Sequence, residues 1–321
     1  MVARIVPPKP RLNAIPRLVQ ILGVLARHNF AGALFGRRRW PKPQDVREAF
    51  EELGLVFLKF GQVLAMRHDL LPAAYTQELA LLHDDLPAMD MAEVRARIEG
   101  ELGAPLTQLF ATFADKPLGA ATIAQVHEAT LPDGRRVAVK VQRAGLGARI
   151  ATDIRALSFL IALGERLFPS LRALDLPVVV REFAVSLKRE TDFGREARSI
   201  MLFRAAVADV PNLWIPDVVS ERTAGRVLTL AFSAGERIDY CAKLHPEAIP
   251  GAINTLVTLM LQTTFEEGLL HADPHPGNVF VLPPARHGPP GPPQSRKAHS
   301  SPGCPARWPV PARRTSRPPS W

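Results

Sequence analysis

Over its first hundred positions the chain repeats apolar residues every three or four places, and after position 109 the repeat shortens to two. Leu18, Ile21, Leu22 and Leu25 share a helical face within 12–35, flanked by Arg17, Arg27 and Arg37 to Arg39. This predicts one or two amphipathic helices that pack on the domain that follows, or else lie on an anionic membrane surface. Packing is the simpler account. Asp45 is placed to cap a helix over 46–53. That helix leads into L-G-L-V-F-L-K-F-G-Q-V-L, where Lys59 and Gln62, three apart, share a face, and where Gly61 predicts close approach by another part of the chain. Further helices are predicted at 75–83 and 91–102, bounded by Pro72, Pro87 and Pro105.

Three strands are predicted within 110–141, the last two joined by the turn P-D-G. In R-R-V-A-V-K-V-Q, alternation sends Val137, Val139 and Val141 to one face and Ala138 and Lys140 to the other. Helices follow at 151–168 and from Pro177 through 206. A β region begins at Trp214, and a long helix over 252–270 ends before a short apolar run at 279–281. The fold class is α+β: a helical extension (1–109), a small strand-bearing lobe with inserted helices (110–235), the start of a larger helical lobe (236–282) and a tail (283–321).

Composition changes this picture at the tail. The chain has 321 residues, 47% of them apolar, enough for a sizeable core, and a formal charge of +9. Residues 283–321 hold six Arg, one Lys, no acid and 12 of the 31 prolines, so the first 282 residues carry only +2. A nucleic-acid partner is therefore not expected. The tail has no hydrophobic period and is expected to be disordered. Its abrupt onset near Leu282 points to a reading-frame change or misassigned gene end more than to a basic RNA-binding or membrane tail. Two cysteines, Cys241 and Cys304, form neither a disulfide framework nor a zinc motif, which fits a reducing compartment. No run of about 20 apolar residues predicts a membrane span.

Candidate chemistry concentrates in H-A-D-P-H-P-G-N, 271–278. A loop offering Asp273 and, five residues later, Asn278 can orient or deprotonate a hydroxyl and give a neutral oxygen to Mg²⁺; it can equally be a Pro-rich turn with a capping Asp. Lys140 on a strand can reach phosphates or protect a sheet edge. The small-residue turn Leu118-Gly119-Ala120-Ala121-Thr122 has one Gly followed by alanines, so its amides meet a phosphate less freely than a glycine-rich loop. One of Glu190, Asp192 and Glu196 can serve as the partner that keeps Lys140 charged and aimed.

Taken in order, K-F-G-Q (59–62), P-L-G-A-A-T-I-A-Q-V-H (117–127), V-A-V-K (137–140), E-T-D-F-G-R-E-A (190–197) and H-A-D-P-H-P-G-N resemble the UbiB family of atypical, protein-kinase-like proteins. The resemblance implies a two-lobed kinase-like fold with an incomplete large lobe. It implies ATP (or ADP) and Mg²⁺ as cofactors, and an ATPase or kinase activity supporting isoprenoid quinone (ubiquinone) biosynthesis. Lys140 looks like the strand Lys on the ATP phosphates and Glu196 like its helix partner. Gly119, Ala120, Ala121 and Thr122 form the alanine-rich loop, and Asp273 and Asn278 the catalytic loop. Lys59 with Gln62, and Glu190 with Asp192, match the family-specific K-x-G-Q and E-x-D, of which the first belongs to an extension that covers the substrate cleft. Lipid or quinone precursors and a biosynthetic complex are the implied partners, at the inner, cytoplasmic face of a bacterial membrane. One departure matters: no D-F-G follows Asn278. The polypeptide as written is therefore expected to be impaired. A nucleotide- or lipid-binding pseudokinase, and a small-molecule phosphotransferase of the aminoglycoside or choline kinase type, are the alternatives.

Overall fold

The computed structural model describes residues 15–30, 41–82, 87–208, 210, 212–270 and 276–282. Residues 271–275 and the tail from 283 lie outside that set, so the expectations for Asp273 and for tail disorder fall outside it too. The chain is a mixed helical and antiparallel α+β protein. Its helices are α1 (Ile15–Arg27), α2 (Pro43–Leu53), α3 (Leu55–Ala65), α4 (Ala73–Leu79), α5 (Met91–Leu102), α6 (Leu106–Leu109), α7 (Leu146–Leu167), α8 (Leu176–Glu190), α9 (Phe193–Ala206), α10 (Ile238–Leu244) and α11 (Ile249–Phe265). The strands are β1 (Thr112–Phe113), β2 (Gly119–Ala120), β3 (Ala124–Thr130), β4 (Arg136–Gln142), β5 (Val227–Ala231), β6 (Glu236–Arg237) and β7 (Phe280–Val281). Among the described residues no helix is long and apolar enough to cross a membrane.

The main sheet runs β1-β3-β4-β5, with β2 also paired to β3 and every pair antiparallel. Its register is set by a tight turn in which Gly134 takes φ +87°, a conformation that disfavours side chains. Each face of the sheet is covered. On the outer face Val137, Val139, Val141 and Val227 pack with Met89, Val94, Ile98, Leu106, Leu109 and Phe110. On the inner face Leu228, with Ile123 and Ala124, joins a larger core fed by α1, α2, α3, α7, α8 and α9. Helices before and after the sheet in sequence therefore share one core, and Ile21 and Val24 of α1 are fully buried in it. This is the packing account of the amphipathic N-terminal helix, and it includes an ion pair: Arg17 Nε donates to the buried carboxylate of Asp153 at 2.6 Å, while its Nη2 donates to the Leu53 oxygen at 2.7 Å.

Gln125 and His127 of β3 are fully buried on the outer face. Gln125 Oε1 accepts from the Met89 amide (2.6 Å), its Nε2 lies 2.6 Å from His127 Nε2, and His127 Nδ1 is 2.7 Å from the Ala114 oxygen. Because Met89 can only donate and Ala114 oxygen can only accept, the chain of bonds has one consistent sense. The Gln125 amide donates to Nε2, and the Nδ1–H donates to Ala114.

Several boundaries differ from the sequence reading. Helix α2 starts at Pro43, whose fixed φ and missing N–H suit the first helical position; Asp45 is thus its third residue, accepting from the Lys42 amide at 2.9 Å, not its N-cap. Gly54, at φ +86°, breaks the run into α2 and α3. The segment 177–206 is two helices, because Asp192 leaves helical geometry and caps α9 through the Arg195 amide at 3.0 Å. Helix α7 begins five residues earlier than the predicted 151, and α11 ends at Phe265 rather than 270. On α11, Ile253, Val257, Leu261 and Phe265 form an exposed stripe.

Candidate functional site

The site is built on β4. Alternation places Lys140 on the inner face, opposite Val126 of β3 and Leu228 of β5. Its Nζ meets both carboxylate oxygens of Glu196, at 3.0 and 2.8 Å, and lies 4.7 Å from the centre of the fully buried Phe193 ring. The ion pair brings together residues 56 apart in sequence. Glu196 sits in the first turn of α9, where the helix dipole favours a carboxylate. Of the three acids open to pair with Lys140, Glu196 is the partner; Asp192 is engaged as the α9 cap.

Glu190, the last residue of α8, pairs instead with Lys59 of α3, with Nζ to Oε1 at 3.2 Å. The K-x-G-Q and E-x-D segments therefore touch, a link that neither segment's spacing announces. Gln62 places its Nε2 3.5 Å from the Leu82 oxygen, the long limit of a hydrogen bond. Gly61 explains how α3 sits so tightly: a Cβ there would lie 2.7 Å from Phe50 Cδ2 and closer still to Leu82 Cδ1.

Beside Lys140, the small-residue turn is folded back as a hairpin. Gly119 and Ala120 pair with Val126 and Gln125, the Leu118 amide donates to Val126 oxygen, and the Ala121 amide donates to Ala124 oxygen. Two amides of the loop are thus spent on β3. Gly119 faces open space, with nothing within 4 Å of the position a Cβ would take, while Thr122 is buried and its hydroxyl lacks a hydrogen-bond partner.

Farther along the chain, Asn278 closes a short 3-10 turn, Pro276–Asn278, one residue before β7. Strand β7 pairs with β6, and the Ile238 amide donates to Val279 oxygen at 3.0 Å. Gly235 makes this junction close: a Cβ there would lie 2.8 Å from the Val281 oxygen. The connection after β5 is thereby tied to the strand that follows the candidate catalytic loop. Among the described residues no group of three or more His, Cys, Asp or Glu side chains forms a metal site.

Three contributors escaped the sequence reading. Gln142, on β4 two residues from Lys140 and therefore on the same face, donates through Nε2 to Thr191 oxygen at 2.6 Å and pins the break between α8 and α9. Phe193 gives Lys140 its aromatic neighbour. Arg143 donates to the Ala121 and Pro87 oxygens, at 3.0 and 2.8 Å. An amide two places from a strand Lys, and so on the same face by alternation, was the one signal in the sequence that pointed to any of them.

The donor set suits a polyphosphate. An ammonium has three protons and Glu196 engages it through two bonds, so Lys140 keeps a further donor for an anionic oxygen. The orphaned Thr122 hydroxyl and the open space at Gly119 lie in the loop next to it.

The model of the ABC1 atypical kinase-like domain matches residues 81–287. A probable protein kinase UbiB of Marinobacter nauticus is 33% identical over 272 residues, covering 84% of this chain and 49% of that protein. Another of the same description, from Xanthomonas euvesicatoria pv. vesicatoria, is 37% identical over 243 residues, 74% of this chain and 44% of that one. A solved structure described as the Rv3197–erythromycin complex from Mycobacterium tuberculosis aligns with a TM-score of 0.53 and 26% identity, covering 84% of this chain and 63% of that chain. The chain spans about half the length of the curated relatives it matches.

Proposed function

The chain belongs to the UbiB/ABC1 family of atypical kinase-like proteins, and from that premise we propose that it binds ATP or ADP with Mg²⁺ at the Lys140 cleft and serves isoprenoid quinone biosynthesis. The observation that carries the reading is the Lys140–Glu196 pair on the inner face of the sheet, next to the alanine-rich loop. Lys140 would contact the phosphates, aimed by Glu196. Gly119, Ala120, Ala121 and Thr122 would close over them. Asn278 would give Mg²⁺ a neutral oxygen, and Asp273 would orient or deprotonate the attacking group. The nucleotide supplies the transferable phosphoryl group; the residues of the chain position it and stabilise its charge. The Lys59–Glu190 contact would hold the extension across the cleft and restrict what else enters it. The proposed setting is the inner, cytoplasmic face of a bacterial membrane, with lipid or quinone precursors as the molecules acted on or bound.

Titrating the full chain with ADP, with and without Mg²⁺, tests the nucleotide site. Saturable binding is expected, and Lys140→Ala should weaken it about tenfold or more, the equivalent of losing one charge-assisted contact. No saturation at millimolar ADP, or equal affinity in the variant, would overturn the reading. For the quinone role, a bacterial strain lacking its own UbiB protein should regain at most part of its quinone when given this chain, and none when given Asp273→Asn.

A further inference from the structure

A linker within the extension, residues 87–89 just ahead of α5, is bonded to the alanine-rich loop through a side chain three residues beyond Lys140. Arg143 Nε donates to the Ala121 oxygen at 3.0 Å and its Nη2 to the Pro87 oxygen at 2.8 Å, while its own amide donates to Ile123 oxygen at 3.0 Å. Two further bonds tie the extension to the small lobe around this point. The Met89 amide donates to Gln125 of β3 at 2.6 Å, and the Ala144 amide donates to Glu93 of α5 at 3.1 Å. A half-buried arginine is ordinarily matched to carboxylates, yet both acceptors here are main-chain carbonyls from separate segments. Burial lowers the Arg143 pKa from its ordinary value, against a smaller opposing effect of Glu93.

Holding the Ala121 carbonyl orients more than one group. A trans peptide is planar, so the Thr122 N–H must point away from the guanidinium. The Ala121 amide is already given to Ala124. Neither peptide plane flanking Ala121 can rotate without breaking a bond to β3 or to Arg143, and alanines lack the backbone freedom by which a glycine-rich loop would evade such a restraint.

We propose that Arg143 is a positioning residue: it sets the orientation of the alanine-rich loop over the phosphates and couples that orientation to residues 87–89, so that linker and loop shift together. The proposal rests on reading the Lys140 cleft as a nucleotide site. It assigns to the β4–α7 junction a regulatory task, carrying displacement of the extension to the loop that meets the ligand.

The test compares full-length wild type, Arg143→Ala and Arg143→Lys by hydrogen–deuterium exchange and by ADP titration. In Arg143→Ala, peptides covering 87–90 and 119–124 should both exchange faster while 136–141 keeps its protection, and ADP should bind about tenfold more weakly. Arg143→Lys, which cannot fork between two carbonyls, should fall between wild type and Arg143→Ala in both measurements. Loosening of the loop with an unchanged linker overturns the coupling, and ADP affinity within twofold of wild type overturns the positioning role. If Arg143→Ala does not fold, Arg143→Lys carries the same comparison. If wild type binds no ADP, the nucleotide reading fails, and the paired exchange of the two segments still decides the coupling.

Discussion

His127 is fully buried with its Nδ1–H committed to Ala114 and its Nε2 accepting from Gln125. Burial lowers its pKa from the ordinary value, outweighing the bond to Ala114 and the nearby charge of Asp115. The consequence for stability has a definite sign. Between the lowered native pKa and the ordinary value near 6.5, the unfolded chain binds more protons than the folded one. The contribution of neutral His127 is thus complete above about pH 6.5 and is lost as pH falls toward the native pKa. Thermal unfolding should show a midpoint that declines from pH 7 to 5.5, and His127→Gln should flatten that slope; an unchanged slope would exclude His127 as its source. Lys140 shows how far sequence reaches at this scale. Alternation alone places it opposite the buried valines. The choice of Glu196 over Glu190 and Asp192 was legible through the family resemblance and not through spacing, because it depends on where the helix breaks, and the break follows from Asp192 capping the helix ahead.

Among the elements, α3 owes its position to Gly61. Replacing it with Ala gains about 1 kcal/mol of helix propensity. Against this, Phe50 and Leu82 must both move, and Phe50 is wedged between Phe57 and Phe60, with ring centres 6.0 and 6.5 Å away. Overpacking of this kind costs about 1–3 kcal/mol, so it outweighs the gain. Gly61→Ala should therefore lower stability in urea, whereas Gly100→Ala on α5, where a Cβ meets nothing within 4 Å, should raise it by about 0.5–1 kcal/mol. The close approach at Gly61 could be anticipated from a glycine inside an apolar helix; the identity of what approaches could not, since Leu82 lies 21 residues on. Helix ends were less legible than helices. Pro43 drew α2 forward past Asp45, and Gly54 split a run that its apolar spacing left continuous.

In the whole molecule, extension and small lobe meet in one core, sealed at its edge by Arg17 and the buried Asp153. Removing the cation strands a buried carboxylate, a loss of about 3–5 kcal/mol unless α1 detaches and lets water reach it. Detachment caps the loss at the free energy with which α1 docks. Arg17→Met should accordingly speed proteolysis between α1 and α2 more than it lowers the unfolding midpoint, and the double variant Arg17→Met, Asp153→Leu should restore resistance. Equal cleavage in wild type and Arg17→Met would contradict this. The pair also spans 136 positions of sequence. A ribosome adding about 5–20 residues per second takes on the order of 10 s to travel that far. Throughout that interval Ile21 and Val24 have been made and α7 has not, so α1 has only α2 to lean on and keeps part of its apolar face in solvent, a natural client for a chaperone. Its arrival in the core is timed by translation downstream rather than by its own helix-forming strength.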